Sequence, residues 1–115
     1  MKNINGESYE IRLEDDNSTV FFKGALRLSG MDDYAPILEM LKGTLVNLTV
    51  PVVLDVRELD FLNSSGITMF SRFVIEARDR GGVRVHFLAS ESISWHARSL
   101  KNLQRLMPSL EIRLT

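Results

Sequence analysis

The sequence predicts a small α/β domain in which about three helices pack on a mixed β-sheet. Three observations lead to this prediction. The N-terminal quarter has the alternating pattern of strands, the rest of the chain alternates short apolar runs with amphipathic helical segments, and turn residues separate these segments. Strands that alternate with helices are joined by right-handed crossovers and lie parallel. We therefore expect an N-terminal hairpin followed by parallel strands, in the order β-hairpin, α, β, α, β, α, β.

Side-chain alternation and turn chemistry predict the N-terminal strands. Apolar side chains alternate with charged ones in residues 9–14, YEIRLE, and residues 19–28, TVFFKGALRL, are rich in β-formers. Residues 15–18, DDNS, favour a turn between the two segments. A β-hairpin is therefore expected at this end of the chain.

Apolar residues at helical spacing predict the first helix. Asp32 or Asp33 is expected to cap it, and Pro36 then falls in the first turn, where a missing N–H group costs little. One face of this helix carries the apolar stripe Tyr34, Ile37, Leu38, Leu41, Leu45 and Leu48.

Three more strands and two more helices follow. Residues 51–56, PVVLDV, are apolar without alternation, which is typical of a central strand covered on both faces. Residues 83–89, VRVHFLA, and 110–114, LEIRL, are the next strands. The second helix ends at RDRGG, residues 78–82, and residues 92–108 form a third helix that stops at proline. The expected inward residues of these helices are Phe70, Phe73, Val74 and Ala77, then Leu100, Leu103 and Leu106.

Composition limits the classes of function. A chain of 115 residues suits one domain, residues 1–115, with a real core. A net charge of −1 leaves no basic excess for nucleic acid, and the lack of cysteine excludes disulfides, thiol catalysis and thiolate metal sites. The N-terminus has no apolar signal region, and no segment approaches about 18 uninterrupted apolar residues. We expect a cytoplasmic protein without a membrane partner.

The stretch LDVRELDFLNSSGITMF, residues 54–70, places Ser64 and Ser65 where an apolar strand enters a helix. The first turn of a helix presents unpaired N–H groups and a positive dipole end, so a phosphate on a serine there is locally stabilised. Gly66 keeps this turn free of side-chain bulk, so that another surface can approach the backbone. The alternative is simpler: Asn63 or Ser64 caps the helix and has no further role.

Enzymatic alternatives find little support in the sequence. The junction lacks the first glycine of G-x-S-x-G, and the histidines are His86 within a strand and His96, expected on the surface of the third helix. Asp55 either orients a histidine or anchors a loop. Neither a metal site nor a phosphate-binding glycine loop is indicated, so we expect no cofactor and no enzyme activity.

Residues 52–105 resemble the STAS domain of anti-sigma-factor antagonists, a family of bacterial signalling phosphoproteins. The matching features are VVLDV, LDFLNSSGI, the helix ending in RDRGG, and VRVHFLA. The resemblance implies a STAS-like fold and a regulatory interaction domain switched by phosphorylation. It also implies two partners, a serine kinase or anti-sigma factor of the histidine-kinase-like ATPase fold and a PP2C-type phosphatase. Carried over, Ser64 is the phosphoacceptor, with Ser65 and Thr68 as alternatives.

The chain departs from the family pattern at three places. Asn63 stands where the family has aspartate, Thr68 stands where it often has glycine, and the chain stops at Thr115 where the family often has a further helix. The surface of that helix is then missing or supplied by a partner.

A partner-binding face is expected along the start of the second helix. Met69 is a candidate apolar contact, with partial burial as the alternative, and Trp95 is either an interface anchor or an aromatic that covers the end of the sheet. Two other functions remain open: an interaction module that is never phosphorylated, and a small-molecule or lipid binder that uses the same strand–helix edge. The expected binding residues are Asn63, Ser64, Ser65, Gly66, Thr68, Met69 and Arg72.

Overall fold

The computed structural model describes residues 2–46 and 49–115 and contains one six-stranded sheet with three α-helices. A short 3-10 turn follows the first helix, at Thr44–Val46. The elements in chain order are β1 (Lys2–Asn5), β2 (Tyr9–Leu13), β3 (Thr19–Leu26), α1 (Met31–Gly43), β4 (Val52–Leu62), α2 (Ser64–Arg80), β5 (Val85–Ala89), α3 (Ser94–Leu106) and β6 (Glu111–Leu114).

The strands lie side by side in chain order, β1 to β6. The pairs β1–β2 and β2–β3 are antiparallel, and β3–β4, β4–β5 and β5–β6 are parallel. This confirms the predicted hairpin and the parallel strands after it. The prediction missed β1, because KNIN has a single apolar side chain, Ile4, and so carries no alternation.

All three helices cover the same face of the sheet. The crossovers β3–α1–β4, β4–α2–β5 and β5–α3–β6 each step in the same direction across the sheet, and right-handed crossovers then place every helix on one side. Helix α2 lies in the middle and packs against both α1 and α3. The centre of the core is a row of rings in which Phe70 meets Phe22 and Phe87 edge-to-face, at 5.4 and 5.5 Å between centroids.

The apolar sequence of β4 had suggested a strand covered on both faces. That expectation was wrong, because no helix of the described chain covers the second face of the sheet. That face carries polar and charged side chains that contact one another. Arg57 Nη2 lies 2.8 Å from Asp55 Oδ2, and His86 Nε2 lies 3.0 Å from Glu111 Oε2. Arg12 pairs with two glutamates of its own strand region and stacks on a phenylalanine ring.

Strand β4 is longer than the predicted segment 51–56 and ends at Leu62. Its second half pairs with β3 through two register shifts, one of them beside Gly24. Gly24 has φ +96°, and a Cβ there would lie 2.1 Å from the Ser8 carbonyl oxygen. Because of this extension, one residue, Asn63, separates the end of the strand from the start of α2.

Helix α1 begins at Met31, two residues earlier than a cap by Asp32 requires and three earlier than a cap by Asp33 requires. Gly30 is the N-cap, and no side chain caps the helix; Asp33 Oδ2 instead accepts a hydrogen bond from the Ser29 N–H at 3.3 Å. Pro36 consequently falls in the second turn. The apolar stripe is buried from Tyr34 to Leu45, as predicted, and Leu48 lies outside the described residues.

The last helix buries Leu100 and Leu103, as predicted, while Leu106 is only partly buried. Within residues 2–46 and 49–115, no helix has the length and apolar content that a membrane span requires.

Candidate functional site: the start of helix α2

Asn63 ties the start of α2 to the rest of the protein. Its extended backbone places it as the N-cap, where Oδ1 accepts from the Gly66 N–H at 2.9 Å. The same oxygen accepts from the Tyr34 hydroxyl at 2.6 Å, and Nδ2 donates to the Leu28 carbonyl at 2.8 Å. Asn63 therefore joins α2, α1 and the loop before α1, and it is the cap that the sequence left open between Asn63 and Ser64.

The groups around residue 63 fit an amide better than the carboxylate of an aspartate. Three groups surround the side chain, and two of them donate while the third, the Leu28 carbonyl, can only accept. A carboxylate satisfies the two donors but places a second acceptor against that carbonyl. An amide is the side chain that satisfies all three.

Tyr34 holds this arrangement from the side of α1. Its side chain is fully buried, and burial raises the pKa of its hydroxyl above the ordinary value. The hydroxyl therefore stays protonated and donates to Asn63 throughout the physiological range.

Gly66 is required by packing inside the protein. A Cβ at this residue would lie 2.2 Å from Leu62 Cδ1 and 2.9 Å from the Tyr34 hydroxyl oxygen. The close approach to the backbone that was expected here is made within the protein, by Leu62 and Tyr34, and Gly66 is buried.

Ser64 is the exposed first residue of α2. The N–H groups of Ser64 and Ser65 lie in the first turn, where a helix supplies no backbone acceptor. Within the described chain, no side chain or backbone group is hydrogen-bonded to the Ser64 hydroxyl. The Thr68 hydroxyl differs, since it donates to the Ser64 carbonyl at 3.1 Å, and Ser65 is partly buried.

The exposed stripe of α2 consists of Ser64, Thr68 and Arg72, which recur every four residues. Met69 does not belong to it. The expectation that Met69 contacts a partner was wrong, because its side chain is fully buried. As the middle helix of three, α2 buries a face wide enough to include Met69 beside the predicted Phe70 and Phe73.

Two aromatic side chains lie near the C-terminal end of β4. Phe61, 41% exposed, stacks under the Arg27 guanidinium at 4.6 Å. The Trp95 Nε1–H donates to the Asp60 carbonyl at 3.0 Å and the ring packs partly against the core, which supports Trp95 as an aromatic that covers the end of the sheet. Sequence reasoning missed Phe61, although the alternation of residues 57–62, RELDFL, was a signal that the strand continues.

The histidines and Asp55 form no catalytic arrangement with Ser64. His96 was expected on the surface, but it is fully buried: Nδ1 accepts from the Ser90 N–H at 2.9 Å and Nε2 lies 3.0 Å from the Leu59 carbonyl. Burial lowers the pKa of His96, so the ring stays neutral. Asp55 orients neither histidine and anchors no loop, because its carboxylate binds Arg57 of the same strand.

The described residues contain no group of three His, Cys, Asp or Glu side chains placed to hold a metal ion. The arrangement at the start of α2 instead offers an accessible hydroxyl on a rigid helix start. Such a hydroxyl can accept a phosphate or contact another protein. Among the described residues no base lies beside it that would activate it as a nucleophile.

Comparison with known proteins gives structural matches alone. No protein-family model matches the chain, and neither does any curated protein sequence. Two crystal structures from Pseudomonas aeruginosa match over the whole chain. One is apo-SiaC, with a TM-score of 0.69, 14% identity and 99% of that chain covered. The other is the diguanylate cyclase SiaD in complex with its activator SiaC, with a TM-score of 0.70, 15% identity and 100% of the matched chain covered.

The chain has the STAS-like fold of SiaC. The mixed sheet, the N-terminal antiparallel strands and the three helices expected from the sequence are thereby confirmed. At 14–15% identity the likeness concerns the fold, and the role of each residue has to be argued from its own contacts.

Proposed function

We propose that residues 1–115 form a non-enzymatic regulatory domain that binds a partner protein through the exposed stripe of α2 and is switched by phosphorylation of Ser64. The observation that supports this most strongly is that the residues which hold the start of α2 are separate from the serine that is exposed there. Asn63 and Gly66 hold the helix start through internal contacts, and the adjacent Ser64 hydroxyl is exposed and unengaged. A modification of Ser64 therefore leaves the cap intact.

The electrostatics of the helix start suit a phosphate. A phosphoserine carries about −1.5 to −2 charges at pH 7, and the positive end of the α2 dipole and the unpaired N–H groups of its first turn stabilise that charge. The first turn of α2 contains no acidic residue that would repel it. The domain keeps its fold, while a partner surface seated over Ser64 has to accept or desolvate a dianion.

Ser64 is a better phosphoacceptor than its two alternatives. Ser65 is partly buried, and the Thr68 hydroxyl is already engaged with the Ser64 carbonyl one turn back. The partner-binding set becomes Ser64, Ser65, Thr68 and Arg72, with Asn63 and Gly66 acting as positioning residues.

The proposed partners follow from the family resemblance and from the fold. The resemblance implies two partners in the cytoplasm. One is a serine kinase or anti-sigma factor of the histidine-kinase-like ATPase fold, and the other is a PP2C-type phosphatase. SiaC is the activator of the diguanylate cyclase SiaD in the matched complex, so a diguanylate cyclase is a second candidate target. We propose that the target is either a serine kinase or anti-sigma factor of the ATPase fold, or a diguanylate cyclase.

Calorimetry with the cognate regulator tests the switch. Ser64→Asp should weaken binding about tenfold or more, and Ser64→Ala should bind like the unmodified protein. The matched control is Ser94→Asp, since Ser94 is the exposed first residue of α3 and the substitution adds the same charge at the same helix position. Equal affinities for Ser64→Asp and Ser64→Ala would refute the switch.

An interaction module of the same fold that is never phosphorylated is the competing function. The intact mass after incubation with the cognate kinase and ATP separates the two. A gain of one phosphate that maps to Ser64 supports the switch, and an unchanged mass supports the simpler module.

A further inference from the structure

The outer surface of the helical layer carries opposite charges at its two ends. Helix α1 exposes Asp32, Asp33 and Glu39, and its cation, Lys42, is partly buried in the last turn. Helix α3 contains no acidic residue and exposes its three cations on one side, Arg98, Lys101 and Arg105. Helix α2, with Ser64, lies between them.

The three cations of α3 form no ion pair with any residue that the structure describes. No acidic residue occurs from position 92 to position 110. Four arginines elsewhere in the described chain do form ion pairs: Arg57 with Asp55, Arg78 with Asp79, Arg80 with Glu76 and Arg12 with two glutamates. A surface hollow of about 410 Å³ lies beside Lys101 and Arg105.

The charges on the two helices match in spacing. Asp32 and Glu39 are seven residues apart on α1, and Arg98 and Arg105 are seven residues apart on α3. Each pair therefore spans about 10.5 Å along its helix axis. The helices run parallel, since each connects two parallel strands in the same direction.

We propose that this layer is a self-complementary surface on which a second copy of the chain docks. A two-fold axis parallel to α2 places α1 of each copy along α3 of the other copy. It also places the two α2 helices against each other. Asp32 and Glu39 of one copy then face Arg98 and Arg105 of the other, and the hollow beside Lys101 and Arg105 receives the glutamate.

Other anionic partners fit this surface less well. A flat anionic membrane or a nucleic acid that contacts α3 also meets the acidic α1 on the same layer and is repelled by it. A second copy presents the opposite order of charges and is attracted at both ends. In this arrangement the Ser64 stripe is covered, so self-association and the proposed partner binding exclude each other.

Sedimentation velocity with charge-reversed variants tests this pairing. The basic variant of α1 carries Asp32→Lys, Asp33→Lys and Glu39→Lys, and the acidic variant of α3 carries Arg98→Glu, Lys101→Glu and Arg105→Glu. We expect the unmodified protein to dimerise at 0.01 M salt, where the Debye length is about 30 Å, and to dissociate at 1 M salt, where it is about 3 Å. Each variant alone should lose about tenfold or more in self-affinity, and an equimolar mixture should recover a dimer.

The control matched to the acidic variant of α3 lowers the net charge by the same amount at exposed positions on the sheet, with Lys2→Glu, Lys23→Glu and Arg113→Glu, and should dimerise like the unmodified protein. Circular dichroism establishes that every variant is folded. The pairing is overturned if the unmodified protein stays monomeric at its highest soluble concentration in 0.01 M salt. It is also overturned if the mixture of variants associates no better than either variant alone. The test needs neither a kinase nor a partner, so its outcome is independent of the proposed switch.

Discussion

At the scale of single residues, the Asn63 side chain holds the start of α2 in place. Its amide makes three hydrogen bonds, to the Gly66 N–H, the Tyr34 hydroxyl and the Leu28 carbonyl, while the neighbouring Ser64 hydroxyl makes none with the described residues. Two consecutive polar residues thus have opposite roles. One builds the helix start, and the other remains available for modification.

We expect Asn63→Asp to destabilise the protein by about 1–3 kcal/mol, because the carboxylate loses the donor to the Leu28 carbonyl and leaves two acceptors facing each other. Urea denaturation measures the change in the free energy of unfolding. The control is Asn102→Asp on the exposed side of α3, for which a change within about 0.5 kcal/mol is expected. Equal stability of Asn63→Asp and Asn102→Asp would contradict the three-way role of this amide.

His96 makes the stability depend on pH. The ring is buried and accepts the Ser90 N–H at Nδ1, so its folded-state pKa is lowered and protonation occurs more readily in the unfolded chain. Stability is therefore complete above the unfolded pKa of about 6.5 and falls as the pH drops below it, by at most about 1.4 kcal/mol per pH unit for one proton.

The free energy of unfolding measured between pH 7.5 and pH 5.5 tests the role of His96. His96→Gln has no proton to bind at this position, so the variant should lose less stability than the unmodified protein over this interval. An identical pH dependence in the two proteins would show that His96 does not cause the loss.

At the scale of elements, the short connection between β4 and α2 sets the geometry of the candidate site. Strand β4 extends to Leu62, and one residue later α2 begins, with Gly66 packed on Leu62 and Tyr34. The strand, α1 and the first turn of α2 therefore form a rigid support under Ser64.

We expect Gly66→Ala to destabilise the protein by about 1–3 kcal/mol through overpacking, even though alanine has the higher helix propensity by about 1 kcal/mol. The cause is the 2.2 Å approach of the new Cβ to Leu62 Cδ1. Gly43→Ala is the matched control at the end of α1, where no atom lies within 4 Å of the new Cβ, and it should be neutral or stabilising. Thermal unfolding of both variants measures the difference, and a neutral Gly66→Ala would contradict the packing argument.

At the scale of the whole molecule, periodicity predicted the order of strands and helices because each apolar stripe has to face one core. It predicted less well how much of each helix is buried. Met69 lies beside the predicted stripe of α2 and is buried because α2 contacts two neighbouring helices. His96 lies on the predicted stripe of α3, one turn before Leu100, and is buried where α3 closes over the end of β4. The hydrogen bonds of Asn63 join residues 28, 34 and 63, which no local pattern brings together.

The charge arrangement is also a property of the whole molecule. The net charge of −1 conceals an acidic α1 and a basic α3, separated by α2. The net charge argued against nucleic acid as a partner, but it does not reveal that the fold gathers cations on one side of the helical layer.

The most direct test of the regulatory account is a calorimetric titration of the cognate regulator with two forms of the protein, one unmodified and one with phosphoserine installed at position 64 during synthesis. The account predicts that the phosphate weakens binding about tenfold or more while the unfolding temperature stays within a few degrees, because the Asn63 cap is untouched. Equal affinity of the two forms, or weaker binding caused by loss of the fold, would contradict it.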